Sequence, residues 1–190
     1  MNWIHRRLCK SDEWARKVED RLLPWALKDV DLGDEVLEIG PGFGVTTAVL
    51  ARLPGRLTAL EVDQSSVDYL GGRFGDEVRL LHGDGAAMPL PDNEFSAAVC
   101  FTMLHHVPSV EQQDRLFAEA ARVLRPGGVF TGTDSLPSLR FRIIHLGDTM
   151  NTVDPDQLPE RLRKAGFEDI EVTVGAGSFR FRAQCRRADV

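Results

Sequence analysis

The sequence predicts a doubly wound α/β fold with a mostly parallel sheet of seven strands, the last of them antiparallel. Two observations carry this. From Asp34 onward short apolar runs alternate with helical periods, a pattern that calls for parallel strands joined by crossover helices. Near the C-terminal end two alternating runs, 170–174 and 179–183, are separated only by Gly175-Ala176-Gly177-Ser178. Four residues are too few for a parallel crossover, so these runs pair as a hairpin. The length, 190 residues, suits one domain with a full core.

Taken in order, residues 1–30 read as a helical segment set apart from a main domain at 31–190. Trp3, Trp14 and Trp25 recur every eleven residues, which returns to nearly one helix face, and Pro24 interrupts or restarts that helix. The stripe docks on the main body or caps a ligand as a lid. Residues 36–39 form the first strand, followed by a helix from about Phe43 that stops before Pro54-Gly55. Residues 57–61 form the second strand and 64–73 a helix ended by glycines; 78–82 and 97–101 are further strands. Ser109 opens the clearest helix: Ser109 and Gln112 match a capping box, and Leu116, Phe117, Ala120, Val123 and Leu124 keep the helical period. Arg122 and Arg125 stand at its C-terminal end before the stop signal Pro126-Gly127-Gly128, and 129–133 is the fifth strand. A short helix up to Lys164, closed by Gly166, leads into the terminal hairpin. Residues 135–155 are the longest irregular stretch, a common seat of function.

Composition narrows the partners. A formal net charge of −6 gives no general pull toward nucleic acid or an anionic membrane. The local arginines, Arg140 with Arg142 and Arg180, Arg182, Arg186 and Arg187, read as solvated strand and tail faces. Cys9, Cys100 and Cys185 lie far apart, with no CxxC and no metal-ligand spacing, a reduced pattern that predicts a cytoplasmic protein without a metal. Arg6-Arg7 is followed by Lys10, Asp12 and Glu13 rather than by the apolar stretch of an export signal. No run approaches the ~20 apolar residues of a membrane span.

Glu38, Glu61 and Asp84 fall at or just past the ends of the first three strands, each 23 residues from the next. With strands ordered 3-2-1 these tips line one edge over about 10 Å, enough to touch three parts of one elongated ligand. The loop between Glu38 and the next helix is Gly40-Pro41-Gly42-Phe43-Gly44-Val45. A helix N-terminus favours anions, but Glu38 beneath the loop and Asp84 beside it would repel a pyrophosphate. A cationic, donor-rich ligand fits better, and S-adenosylmethionine is one. Glu61 can accept both ribose hydroxyls, Asp84 the adenine amino group, and the Gly85 N–H serves a ring nitrogen. Gly40 and Gly42 let backbone approach the methionine end, where Glu38 meets the ammonium directly or through water.

VLEIGPGFG, ALEVDQS, HGDGAAMPLPDNEFS, LHHV and RVLRPGGVF resemble, in order and spacing, the motifs of class I S-adenosylmethionine-dependent methyltransferases. The likeness covers about 34–182 and is strongest to the small methyltransferase-domain group that includes quinone-biosynthesis enzymes. It implies a Rossmann-like sheet ordered 3-2-1-4-5-7-6 with strand 7 antiparallel. It also implies cofactor contacts from Glu38, Gly40, Pro41, Gly42 and Gly44 at the methionine side, Glu61 and Val62 at the ribose, Asp84 and Gly85 at adenine, and Phe101 and Thr102 beside the methyl. Two departures stand out: Ser96 where the family often has Asp, a residue that makes a structural bond at the strand start, and Gly85 where Ala is common.

The function expected is methyl transfer to a small molecule. Such in-line displacement needs mainly proximity, alignment and a dry pocket. His106 is the candidate general base, against the reading that His105-His106 merely fixes the loop before Pro108. Asp134, His145 and Asp148 lie toward the acceptor side, and Arg140 with His145 would suit an anionic acceptor. The fourth strand lacks the D/N-P-P-Y of nucleic-acid amino methyltransferases, and Cys100 lacks a Pro-Cys context, so no nucleic acid and no membrane partner is expected. The alternatives are a cofactor-binding interaction protein without turnover and a nicotinamide-dependent oxidoreductase.

Overall fold

In the computed structural model, residues 11–138 and 149–187 are described; Trp3, Cys9, Arg140, Arg142, His145 and Asp148 lie outside them. Strands β1 (Glu35–Ile39), β2 (Arg56–Glu61), β3 (Arg79–His82), β4 (Phe95–Phe101), β5 (Leu124–Ser135), β6 (Phe167–Val174) and β7 (Ser178–Cys185) form one sheet ordered 3-2-1-4-5-7-6. The first five pair parallel, and β7 runs antiparallel to both β5 and β6, as a connection of only three residues, 175–177, requires. The helices are α1 (Asp12–Lys17), a π turn (Val18–Leu22), α2 (Leu23–Ala26), α3 (Val45–Leu50), α4 (Gln64–Phe74), α5 (Val110–Val123) and α6 (Leu158–Ala165).

The central strands are apolar along their length because both faces are covered. In β4, Ala97, Val99 and Phe101 point to one core with Leu50, Leu70, Phe74 and Val18, while Phe95, Ala98 and Cys100 point to the other. In that second core Phe130 stacks on Phe167 at 5.3 Å and meets Phe181 edge-on at 5.0 Å, beneath α5 and α6. Polar caps set the helix starts: Ser109 Oγ accepts the Gln112 N–H at 3.2 Å, and Asp63 caps α4 through the Ser66 N–H at 3.0 Å.

Four local expectations are revised. Val45, not Phe43, begins α3. Its N-cap Gly44 has φ +72°, and a Cβ there would lie 2.5 Å from Leu70 Cδ2. Leu124 already pairs with Phe95, and the 125–128 turn bulges before Val129 pairs with Ala97, so β5 starts ahead of the Pro-Gly-Gly stop. β6 begins at Phe167, ahead of the expected 170–174 run, with a register shift at Asp169, which adopts φ +48°. Arg180 and Arg182 are not simply solvated. Arg180 donates to the Trp25 carbonyl at 2.6 Å and lies over its ring, and Arg182 donates to the Asp29 carbonyl at 3.1 Å. They hold the N-terminal segment against β7, because helix ends leave carbonyls needing donors.

The tryptophan stripe is split as well. The wider π turn retards the helical phase, so Trp14 packs on the core beside α3 whereas Trp25 lies on Gly175 and Arg180. Ser96 takes up a structural role at the strand start: its Oγ accepts the Glu35 N–H at 3.0 Å and sits 2.7 Å from the Leu32 carbonyl.

The close fit at Gly44 makes a prediction. Gly44→Ala should cost about 2–4 kcal/mol, from a left-handed backbone plus overpacking against Leu70 and Phe74. Urea denaturation would show it as a lowered midpoint at constant slope.

Candidate active site

A cleft of about 1030 Å³ opens outside the carboxyl ends of the parallel strands, where ligands bind in open α/β sheets. Its floor is the glycine loop after β1. Gly42 has φ +56°, and a Cβ at this position would meet nothing within 4 Å, so the loop presents bare backbone to open space. That backbone is held from below: Glu61 Oε2 accepts the Gly42 N–H at 3.0 Å, and Oε1 accepts the Asp63 N–H at 3.1 Å. Each carboxylate oxygen has a second lone pair, so these bonds leave Glu61 able to accept from a ligand as well.

Glu38 sits one layer deeper. Its oxygens accept the hydroxyls of Thr46 and of Thr47, the latter at 2.6 Å. It is 1% exposed and lies behind the cleft lining, to which Thr46 belongs. Burial pushes its carboxyl up to about 7 against the stabilising hydroxyls, and the neighbouring Glu61 charge adds to the rise. Gly44 also turns away from the cleft, into Leu70 and Phe74. Gly40, Pro41, Gly42, Glu61, Val62, Asp84, Gly85, Phe101, Thr102 and His106 all line it. Asp84 is exposed, and its Oδ1 accepts the Ala86 N–H at 2.8 Å.

At the end of β4 the backbone is strained. Thr102 adopts φ +52°, a conformation costing about 1–2 kcal/mol in a non-glycine residue, and its N–H donates to the Thr133 carbonyl at 2.8 Å. The turn that follows holds a pair that the sequence did not single out. Asp134, fully buried, accepts from His105 Nδ1 at 2.6 Å, the His105 N–H at 2.9 Å and the Ser135 N–H at 2.6 Å. The His106 ring lies tilted against that of His105, with centroids 4.1 Å apart. Buried Gln113 pins the turn by donating to the Leu104 carbonyl at 3.0 Å and to the Asn151 carbonyl at 2.8 Å. The residues missed by sequence reading are thus Thr46, Thr47 and the His105–Asp134 partnership. The Thr-Thr step just after the glycine loop was the available signal for the first two.

Trp14 and Leu22 from the N-terminal segment also line the cleft, as do Met103, Val107 and Pro108. Among the described residues no helix is long and apolar enough to cross a membrane.

Residues 37–131, half of the chain, match the family described as "Methyltransferase domain". The chain belongs to that family. A probable S-adenosylmethionine-dependent methyltransferase of Mycolicibacterium smegmatis is 33% identical over 176 residues, 88% of this chain and 64% of that protein. The ubiquinone/menaquinone biosynthesis C-methyltransferase of Hahella chejuensis is 30% identical, over 52% of this chain and 42% of its own length. Among solved structures, the putative methyltransferase in complex with the Haloferax volcanii Trm112 activator superposes with a TM-score of 0.74. That match is at 17% identity and covers 98% of this chain and 99% of that one, a likeness of fold alone. The chain spans less than two thirds of the length of either curated relative.

The buried Glu38 makes stability depend on pH in a stated direction. Its pKa is raised from 4.5 to about 7 in the fold, so the folded state holds the proton more tightly. The contribution is favourable below pH 4.5 and is lost as pH rises through 7, by about 3 kcal/mol in all. Glu38→Gln should remove that slope, read as the difference between wild-type and variant denaturation curves across pH 4.5 to 7.5.

Proposed function

We propose that this chain is an S-adenosylmethionine-dependent methyltransferase acting on a small molecule. The observation that carries the reading is the bare Gly42 backbone flanked by the carboxylates of Glu61 and Asp84 on one cleft wall. That lining suits a donor-rich cationic ligand, and it disfavours the pyrophosphate of a nicotinamide cofactor. When bound, S-adenosylmethionine supplies a methyl group activated on a sulfonium. Glu61 takes the ribose hydroxyls, Asp84 and Gly85 the purine, and Gly40–Gly42 with Pro41 the methionine end. Val62 covers the nucleoside, and Phe101 with Thr102 stands at the methyl. Glu38 acts from underneath, through Thr46 and Thr47, by anchoring the helix that follows the loop.

The acceptor enters against the apolar wall of Trp14, Leu22, Met103 and Val107, with residues 1–30 as its cap. That wall and the quinone relative both favour an apolar acceptor. His105, whose ring Asp134 orients, takes the role of proton acceptor in place of His106. With Nδ1 held at 2.6 Å from the Asp134 carboxylate, the ring is fixed in one orientation, and Nε2 is the atom that would take the proton. Roles for Arg140 and His145 at the acceptor, and a cytoplasmic location, rest on the sequence.

Calorimetry tests the donor site: S-adenosylmethionine and S-adenosylhomocysteine should bind, and NAD should not compete. Glu61→Ala should weaken S-adenosylmethionine binding by about 2–4 kcal/mol, the loss of charge-assisted bonds, with Glu61→Gln intermediate. Competitive micromolar binding of NAD would return the oxidoreductase reading.

A labelled-methyl screen over a metabolite panel separates an enzyme from a binding protein without turnover. On the acceptor so found, His105→Ala should slow transfer by about 10²–10⁴, as for loss of a general base, with cofactor affinity unchanged. An unchanged rate would remove His105 from the chemistry.

A further inference from the structure

Helix α5 lays one strip of side chains along the loop that joins β3 to β4. Leu116 stands under Gly85, where a Cβ would lie 3.0 Å from Leu116 Cδ1 and 3.2 Å from Ile39 Cγ2. A turn further on, Glu119 Oε2 accepts the Met88 N–H at 2.7 Å. Arg122 comes next. It donates to the Met88 carbonyl at 3.1 Å, the Leu90 carbonyl at 2.8 Å and Asp92 Oδ1 at 2.7 Å. Its Nε and Nη2 grip the two oxygens of Glu119, each at 2.7 Å. The Arg122 carbonyl in turn accepts the Asn93 N–H at 3.0 Å. Met88 and Leu90, on either side of the grip, are buried in the core.

This is more than the helix stop that the sequence suggested for Arg122. Only a planar guanidinium can serve a carboxylate with one edge and two carbonyls with the other, and a fully satisfied polar network of this kind rigidifies what it touches. The Glu119 carboxyl is held below its ordinary value, chiefly by its bond to Arg122. Neither side chain is part of the cleft wall. The segment they immobilise begins two residues beyond Ala86, whose N–H orients the Asp84 carboxylate.

We propose that the Glu119–Arg122 pair is a specificity-setting positioning device, holding Asp84 and Gly85 where a purine amino group is told from a keto group. The proposal rests on the donor reading above. Discrimination between a donor and an acceptor at one ring position depends on a site whose polar groups cannot shift to suit the wrong ligand. A loop anchored at both carbonyl and amide of Met88 has that property.

The experiment compares S-adenosylhomocysteine with S-inosylhomocysteine, which carries a keto group in place of the amino group, by calorimetry. Wild type should prefer the adenosyl compound by about tenfold or more, the worth of one well-made hydrogen bond against an unpaired group. Arg122→Met keeps the apolar stem and removes the fork. It should bring the preference close to unity and speed amide exchange at 86–88, leaving 42–44 unchanged. Arg122→Lys, which keeps the charge but not the fork, should also lose most of the preference, and it carries the test if the Met variant does not fold. A folded variant that keeps the full preference, or that weakens both ligands equally, overturns the proposal and leaves the donor reading intact. Wild type binding neither compound overturns the donor reading and this one with it.

Discussion

The carboxylate of Glu61 joins the glycine loop after β1 to the turn after β2, and the cleft takes its shape from that junction. In a parallel sheet every strand delivers its chain to the same edge, so loops from neighbouring strands converge there with their backbone N–H groups unpaired. A single carboxylate with two oxygens satisfies one donor from each loop, Gly42 and Asp63. Gly42 can then remain without a side chain over it, and the floor of the site is backbone. Everything proposed for the ligand depends on that bare surface.

Around this junction the molecule carries several costs together. Glu38 is buried with its charge destabilised, Thr102 is held in a left-handed conformation, and Asp134 is buried at the end of β5. Each cost is offset locally. Two threonine hydroxyls meet Glu38, a strand hydrogen bond fixes Thr102, and three N–H groups surround Asp134. Strain and buried charge gathered at one end of a sheet, with the opposite faces packed by ordinary apolar residues, mark where function is kept.

The N-terminal segment shows how a wall is recruited from a distant part of the chain. Arg180 and Arg182 on β7 donate to carbonyls at Trp25 and Asp29, and Arg52 pairs with Glu19 at 2.7 Å. The π turn between Lys17 and Leu23 separates the two tryptophans, with Trp14 on the core and the cleft lining and Trp25 on the hairpin. These contacts are mostly to backbone carbonyls at a helix end, so they constrain the position of the segment more than its sequence.

Local periodicity determined much of this protein. The alternation of apolar runs and helical periods specified the parallel sheet, the four-residue connection specified the antiparallel β7, and Ser109 marked the start of α5. The strand-end positions of Glu61 and Asp84 put both on the cleft wall, because a strand ends where its apolar run ends. What local pattern could not carry was partnership across the fold. Glu38 reads like Glu61 along the chain, yet one is sealed beneath the loop by Thr46 and Thr47 and the other lines the cleft. His105 and His106 are indistinguishable neighbours until Asp134, from another strand, reaches only one of them. Arg122 reads as a helix terminus, and only the return of the β3–β4 loop over α5 makes it a clamp. Those choices belong to tertiary structure because a side chain's role is set by which groups the closed sheet brings within hydrogen-bond distance, and distance along the chain does not encode that.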